Sequence, residues 1–164
     1  MADTIALRDV VVEDFCNYKL PSMFLISSYC DWKCCYEANI DESVCQNHGL
    51  VSGPIKQISY ESLYQAYINN DITKTIVIGG LEPMLQIDEV VGLIHYFREK
   101  SCQDTFVIYT GYYPYEIPKP LSELKKLHNI TIKYGRYDPN LKARYDDVLG
   151  VMLASENQYG EVLS

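Results

Sequence analysis

The sequence predicts an α/β domain on a mainly parallel sheet, and two observations carry that expectation. Short apolar runs rich in β-branched and aromatic residues recur along the chain and stop at glycine or a polar loop, as buried parallel strands do. Between them lie stretches whose apolar residues recur at helical spacing. Strand and helix alternate over most of the 164 residues. In such a fold the loops at the carboxyl ends of the strands share one side, and chemistry is expected there.

Ser22 to Ser28 (SMFLISS) reads as the first buried strand, bounded by Pro21 and a cysteine-rich segment. Tyr60 to Asn69 follows as a helix. Thr75 to Ile78 (TIVI) is the second strand and ends in Gly79-Gly80. Ile87 to Lys100 is helical because Ile87, Val90, Val91, Ile94 and Phe97 fall on one face. Thr105 to Tyr109 (TFVIY) is the third strand, stopping at Thr110-Gly111. Tyr112 to Pro120 holds three prolines in nine residues and reads as a loop within the domain, since too little chain follows to bury a second core. Leu121 to His128 is the third helix, and Asn129 to Tyr134 (NITIKY), ending in Gly135, the fourth strand. Val148 to Ala154 (VLGVMLA) reads as a fifth, with a helix as the alternative. No repeat, low-complexity tract or charge block interrupts the pattern, and residues 1–164 are expected to form a single domain.

Fourteen basic against 22 acidic side chains leave a formal charge of -8, which argues against a nonspecific binder of nucleic-acid phosphates, normally marked by a basic stripe. At this length roughly 70% of the unfolded chain's surface is hidden on folding, so no disulfide staple is required. No apolar run approaches the roughly 20 residues that span a bilayer. The opening MADTIALRDVVVEDF is acidic where a signal peptide is basic and then apolar. A cytoplasmic location, off the membrane, is therefore expected, and the six cysteines should be reduced thiols. Most of the 15 tyrosines are expected to be half-buried cover with the hydroxyl in water.

Cys30, Cys34, Cys35 and Cys45 lie within sixteen positions, whereas Cys16 and Cys102 stand apart and read as small core residues. Cys30 and Cys34 make a C-x3-C turn, and Cys45 follows Cys34 after ten intervening residues. Thiolates are the ligands of iron-sulfur clusters, and three of them would leave one iron of a [4Fe-4S] cluster open to a substrate or cofactor. Structural zinc is an alternative, although all-thiolate zinc sites usually pair two close-spaced cysteines twice; unliganded buried thiols are another. Cys35 adjoins Cys34, and adjacent thiolates do not easily meet one ion from the same side. It reads as a spare thiol, with replacement of Cys34 or a fourth ligand as alternatives. His48 is a further candidate ligand, with a surface or supporting place expected; His95 and His128 are expected to be structural. Trp32 would shield a cluster or pack on a partner. Gly79-Gly80 lets backbone atoms approach a small ligand, and Glu82-Pro83 sets on a stiffened turn a carboxylate suited to an ammonium group. The plainer alternative is a strand-to-loop turn with Glu82 as a helix cap. Lys133 and Arg136 would neutralise a carboxylate or phosphate, or be solvated loop charges.

These residues together resemble the radical S-adenosylmethionine superfamily, and within it the activating proteins of anaerobic ribonucleotide reductase. Cys30 and Cys34 match the first two cysteines of its C-x3-C-x2-C motif, and Cys45-Gln46-Asn47 the third with a trailing asparagine. Gly79-Gly80-Leu81-Glu82-Pro83 resembles the Gly-Gly-acid-Pro loop with one residue inserted. Tyr109-Thr110-Gly111-Tyr112 resembles the next strand end, and Ala154-Ser155-Glu156-Asn157-Gln158 the family's Ser-x-Asn-Gln segment. The departures are eight extra residues between the second and third cysteines, Cys35, Val44 where the family often has an aromatic, and Asn17-Tyr18-Lys19 in place of a glycine-rich turn.

The resemblance implies a partial (β/α) barrel of the radical S-adenosylmethionine type, with a [4Fe-4S] cluster and S-adenosylmethionine as cofactors. It assigns Cys30, Cys34 and Cys45 to iron, and Gly79, Gly80, Glu82 and Pro83 to the loop that holds the cofactor's amino group. Thr110 and Gly111 would contact ribose or adenine, Asn47 would support the third ligand, and Ser155 and Asn157 would meet cofactor or partner. The implied activity is reductive cleavage of S-adenosylmethionine to a 5'-deoxyadenosyl radical, using electrons from a flavodoxin- or ferredoxin-type donor. The radical would act on a glycyl-radical enzyme of the anaerobic ribonucleotide reductase class. A noncatalytic [4Fe-4S] electron carrier or binding module on the same fold is the alternative from a different functional class.

Overall fold

The computed structural model describes residues 3–45 and 47–164, with Val44 by its backbone alone. Gln46, in the motif after Cys45, and the side chain of Val44 therefore lie outside the described residues.

The strands are β1 (Thr4–Asp14), β2 (Ser22–Ser27), β3 (Lys56–Ser59), β4 (Thr75–Gly79), β5 (Thr105–Tyr109), β6 (Ile130–Tyr134), β7 (Arg144–Asp146), β8 (Val151–Leu153) and β9 (Tyr159–Val162). The α-helices are α1 (Lys33–Ala38), α2 (Tyr60–Ile68), α3 (Ile87–Glu99) and α4 (Pro118–Lys125). Seven strands form one sheet in the order β3-β1-β2-β4-β5-β6-β9. Its centre, β2-β4-β5-β6, is parallel throughout, and β1, β3 and β9 join antiparallel at the margins. The domain is mixed α/β with a mostly parallel central sheet.

Alternation along the parallel strands divides the sheet into two faces. Met23, Leu25, Ile76, Ile78, Phe106, Ile108, Ile130 and Ile132 pack with residues of α2, α3 and α4 in one large apolar cluster. The alternate residues Val77 and Val107 join a smaller cluster with Tyr18, Leu149 and Leu153. The helices thus cover one face. On the other, the β1–β2 loop and the segment through β7 and β8 leave a cavity toward the carboxyl ends of the strands.

The four parallel strands and three of the helices lie where the sequence predicts them. Two boundaries move for physical reasons. Helix α4 starts at Pro118, because proline is tolerated in a first turn where its missing N–H has no intrahelical role, and its last residue is Lys125, with His128 in the left-handed region at φ 57°. The expected fifth strand is short and outside the main sheet: β8 pairs with β7 alone. Gly150, at φ 71° and pressed against Lys19, turns the chain immediately before it. Tyr60, Tyr67 and Tyr134 are core residues and not cover. Among the described residues no helix is long and apolar enough to cross a membrane.

Candidate functional site

The carboxyl ends of β2, β4, β5 and β6 converge on a cavity of about 360 Å³. Each expected loop contributes to its wall: Cys30, Cys34, Cys35, Cys45 and Asn47 from the segment after β2, Gly80 and Glu82 after β4, and Thr110 and Gly111 after β5. Lys133 of β6, with Gly135, Arg136 and Gln158, completes that side. Cys16, expected in the core, is instead exposed and lines the same cavity. It lies in the open β1–β2 loop, where the turn of Asp14 to Asn17 keeps it out of the core. Cys102 packs against the core as expected.

The cysteine segment has its own local order. Trp32 takes a left-handed φ of 58° and starts α1, a helix of six residues. Its backbone N–H donates to Cys30 Sγ at 3.4 Å. Cys34 and Cys35 are successive helical residues, so their side chains diverge by about 100°. Cys34 faces the sheet: a Cβ added at Gly111 would stand 3.5 Å from Cys34 Sγ and 3.5 Å from Glu82 Oε2. Cys35 is 1% exposed, and burial, with smaller contributions from Cys45 and Cys34, raises its thiol. Cys45 itself follows a 3-10 turn, Glu42–Val44, whose start is capped by Asp41 accepting from the Ser43 N–H at 2.9 Å.

Burial raises the thiols of Cys30, Cys34 and Cys35. Cys30 is pushed up to about 12, first by burial, with the bond from Trp32 opposing it and Glu82, Asp31 and Cys34 adding to it. Cys34 is raised by burial, against the backbone bond from Tyr137 and the charge of Lys133. Metal binding here must therefore displace protons.

Two interactions at its ends latch α1 to the strand ends. Lys33 Nζ meets Glu116 Oε2 at 2.5 Å, and Arg136 reaches Glu116 at 2.7 Å as well as Glu37 of α1. Glu116 is held at about 2: burial, which would raise it, is outweighed by the bonds from Lys33, Tyr113 N–H and Arg136. Tyr112 donates its hydroxyl to Asp31, adding a further tie. Lys133 and Arg136 are both buried and neither is a solvated loop charge.

Glu82 lines the cavity and is 6% exposed. Its Oε1 accepts from Thr110 Oγ1 at 2.8 Å and from Met84 N–H at 3.0 Å, and its Oε2 from Gly111 N–H at 2.8 Å. The bond to Met84 caps the 3-10 turn Pro83–Gln86, so the capping alternative describes one of its oxygens. Burial pushes its carboxyl up to about 7, opposed by those three bonds and by Lys133. Gly80 is required at φ 83°, where a Cβ would also come within 2.9 Å of Ile26.

The remaining expected residues take supporting places. Gly79 lies inside β4, where a Cβ would press on Tyr109 at 2.9 Å, and its carbonyl accepts from Ser27 Oγ. Pro83 is buried at the start of its 3-10 turn. Neither is part of the cavity wall described for this site. Ser155 Oγ accepts from Asp138 N–H, and Asn157 donates to Tyr113 and to the carbonyl of Arg136, so this segment ties the chain to itself. His48 packs near Trp32 with the rings tilted by 45° and their centroids 5.6 Å apart, and is not part of the cavity wall.

The donor set is soft and anionic once deprotonated, which suits iron and sulfide. Among the described residues, no three His, Cys, Asp or Glu side chains are grouped to hold a single metal ion. A tetrahedral zinc draws its thiolates to about 2.3 Å from one centre, whereas the ligands of a cluster attach to separate irons around it. A family model described as a 4Fe-4S single cluster domain matches residues 22–158. The chain belongs to that family. It is an iron-sulfur, metal-binding domain, and Cys30, Cys34, Cys35 and Cys45 all line the one cavity. No curated protein matches the chain.

Proposed function

We propose that this 4Fe-4S domain is an enzyme that reductively cleaves S-adenosylmethionine and so activates a glycyl-radical enzyme, with anaerobic ribonucleotide reductase as the first candidate. The observation that carries the reading is the buried carboxylate of Glu82 in the same cavity as Cys30, Cys34 and Cys45. Helices on one face of the parallel strands and a cavity on the other are also what a partial (β/α) barrel would need. Cys30, Cys34 and Cys45 would hold three irons, leaving the fourth open. Glu82 would receive the amino group, held in place by Thr110 and the Gly111 N–H, while Gly80 and Gly111 leave the approach clear. Asn47, beside Cys45, would support the third ligand. With a donor of flavodoxin or ferredoxin type, in the reducing cytoplasm, the bound cluster would supply the electron that cleaves the sulfonium and releases a 5'-deoxyadenosyl radical. The chain's part is to orient, to shield from water and to tune the cluster.

The test is anaerobic reconstitution, reduction and addition of S-adenosylmethionine, with 5'-deoxyadenosine measured. Its appearance supports cleavage; a loaded and reduced protein that makes none sinks the proposal. Glu82→Ala should weaken cofactor binding roughly tenfold, the loss of about 1.4 kcal/mol expected for a charge-assisted bond, with iron content unchanged. Equal affinity in both proteins would remove Glu82 from the amino-group site.

Cys35 favours a second reading, a noncatalytic electron carrier, because it is a fourth thiol on the cavity wall and would close the cluster. Cys35→Ser separates the two. Full iron with cleavage intact supports the open cluster, and loss of iron supports the closed one.

A further inference from the structure

Three cations line the cavity, and they differ in how they are satisfied. Lys33 is paired with Glu116, and Arg136 with Glu116, Glu37 and the carbonyl of Gly111. Lys133 lies on β6 at a position whose neighbours, Ile132 and Tyr134, point into the helix-covered core. It therefore projects to the cavity side. Its residue is 8% exposed, and among the described residues its ammonium has one hydrogen-bond acceptor, the carbonyl of Gly135 at 3.0 Å. The Tyr109 ring lies 5.7 Å away. An ammonium has three donors, so two remain for whatever fills the cavity. Isolated burial of such a charge is costly.

The charge is placed next to the proposed ligands. Cys34 and Glu82 are its electrostatic neighbours, and those two groups flank the open space at Gly111. Glu82 has three donors of its own and makes no hydrogen bond to Lys133 among the described residues. A cluster held by thiolates is anionic and gains one more negative charge on one-electron reduction. Local charge and hydrogen bonds to its sulfur atoms are among the levers that set its potential.

We propose that Lys133 is a positioning residue for the cluster, supplying on the Cys34 side of the cavity the positive charge and the N–H donors that stabilise its reduced state. This rests on the 4Fe-4S reading of the cavity and is independent of S-adenosylmethionine cleavage. A residue of purely structural value would change folding or iron content when replaced; this one changes the potential.

The experiment compares wild type with Lys133→Met and Lys133→Arg after anaerobic reconstitution. Iron and sulfide are counted, folding is checked by circular dichroism, and the midpoint potential is read by dithionite titration followed by electron paramagnetic resonance. Lys133→Met should hold its cluster and shift the reduction equilibrium about tenfold toward the oxidised form, a one-electron change of about 59 mV to lower potential. Lys133→Arg, which keeps charge and donors, should stay near wild type. A loaded Lys133→Met with an unchanged midpoint overturns the proposal. Should Lys133→Met fail to fold or to take up iron, Lys133→Gln takes its place with the same expected direction. If that variant also yields no loaded protein, Lys133 is a requirement for assembly and the tuning role is overturned. Wild type that binds no iron overturns the cluster reading itself, and this inference with it.

Discussion

On the helix-covered face of the sheet, Ile76, Ile78, Phe106, Ile108, Ile130 and Ile132 are wholly buried against α2, α3 and α4. On the opposite face the same strands present Tyr109 and Lys133 to a cavity ringed by thiols and by Glu82. The first face is apolar and closed, so its residues are replaceable only by others of the same volume. The second accepts buried charge, raised thiols and a carboxylate pushed up to about 7, all of which cost stability unless something is bound. Stability and chemistry are thus assigned to alternate residues of the same strands.

The largest effect that would sharpen this contrast is Phe106→Ala. Removing a fully buried ring should cost about 3–5 kcal/mol, read by urea unfolding of the iron-free protein. Cys45→Ala is the matching change on the other side: bound iron should fall sharply while the iron-free protein unfolds within about 1 kcal/mol of wild type. A Cys45→Ala protein with normal iron would remove that thiol from the ligand set. A large loss of stability there would break the division of labour itself.

A smaller effect concerns the latch on α1. Glu116→Gln removes the carboxylate shared by Lys33 and Arg136 and should make the cluster severalfold quicker to lose iron to a chelator. Its pH dependence follows from the sign of the shift. The folded carboxyl is held at about 2, below its unfolded value of about 4.3. Its contribution is therefore present above pH 4.3 and disappears as pH falls toward about 2. Thermal unfolding of the iron-free protein should fall more steeply across that window in wild type than in Glu116→Gln. Equal slopes would show that the latch adds nothing. The smallest effect belongs to the sheet margin, where Val162 is exposed on β9; Val162→Thr should stay within about 0.5 kcal/mol of wild type.

The parallel strands were legible because each is a short β-branched run closed by glycine or a polar loop, and α3 because Val90, Ile94 and Phe97 keep one face over two turns. β1 was not. Its pairing with β2 shifts register between Leu7 and Asp9 and again between Val11 and Asp14, which erases a clean alternation over TIALRDVVVED. β3 and β9 have four residues each and include Lys56, Gln57, Gly160 and Glu161, so neither stands out from a loop. Of the site, the gathering of Cys30, Cys34, Cys45, Gly80, Glu82, Thr110 and Gly111 was readable from their places at strand ends. The latch was not, because Glu37, Glu116 and Arg136 are distant in sequence and ordinary in type. Nor was Cys16 at the cavity, whose place depends on how the loop after β1 folds over the sheet.

The thiols reach the cavity on two pieces of chain with unlike anchorage. Cys34 rides on a helix clamped through Lys33 and Glu37, whereas the turns around Cys45 hold together by short-range bonds such as Cys45 N–H to Glu42 and His48 N–H to Cys45. Ligating both pieces to one inorganic core would act as a cross-link that closes the intervening loop and restricts its freedom. Iron uptake should then register far from any redox event, as protection of the segment from Ile40 to Ser52 against proteases.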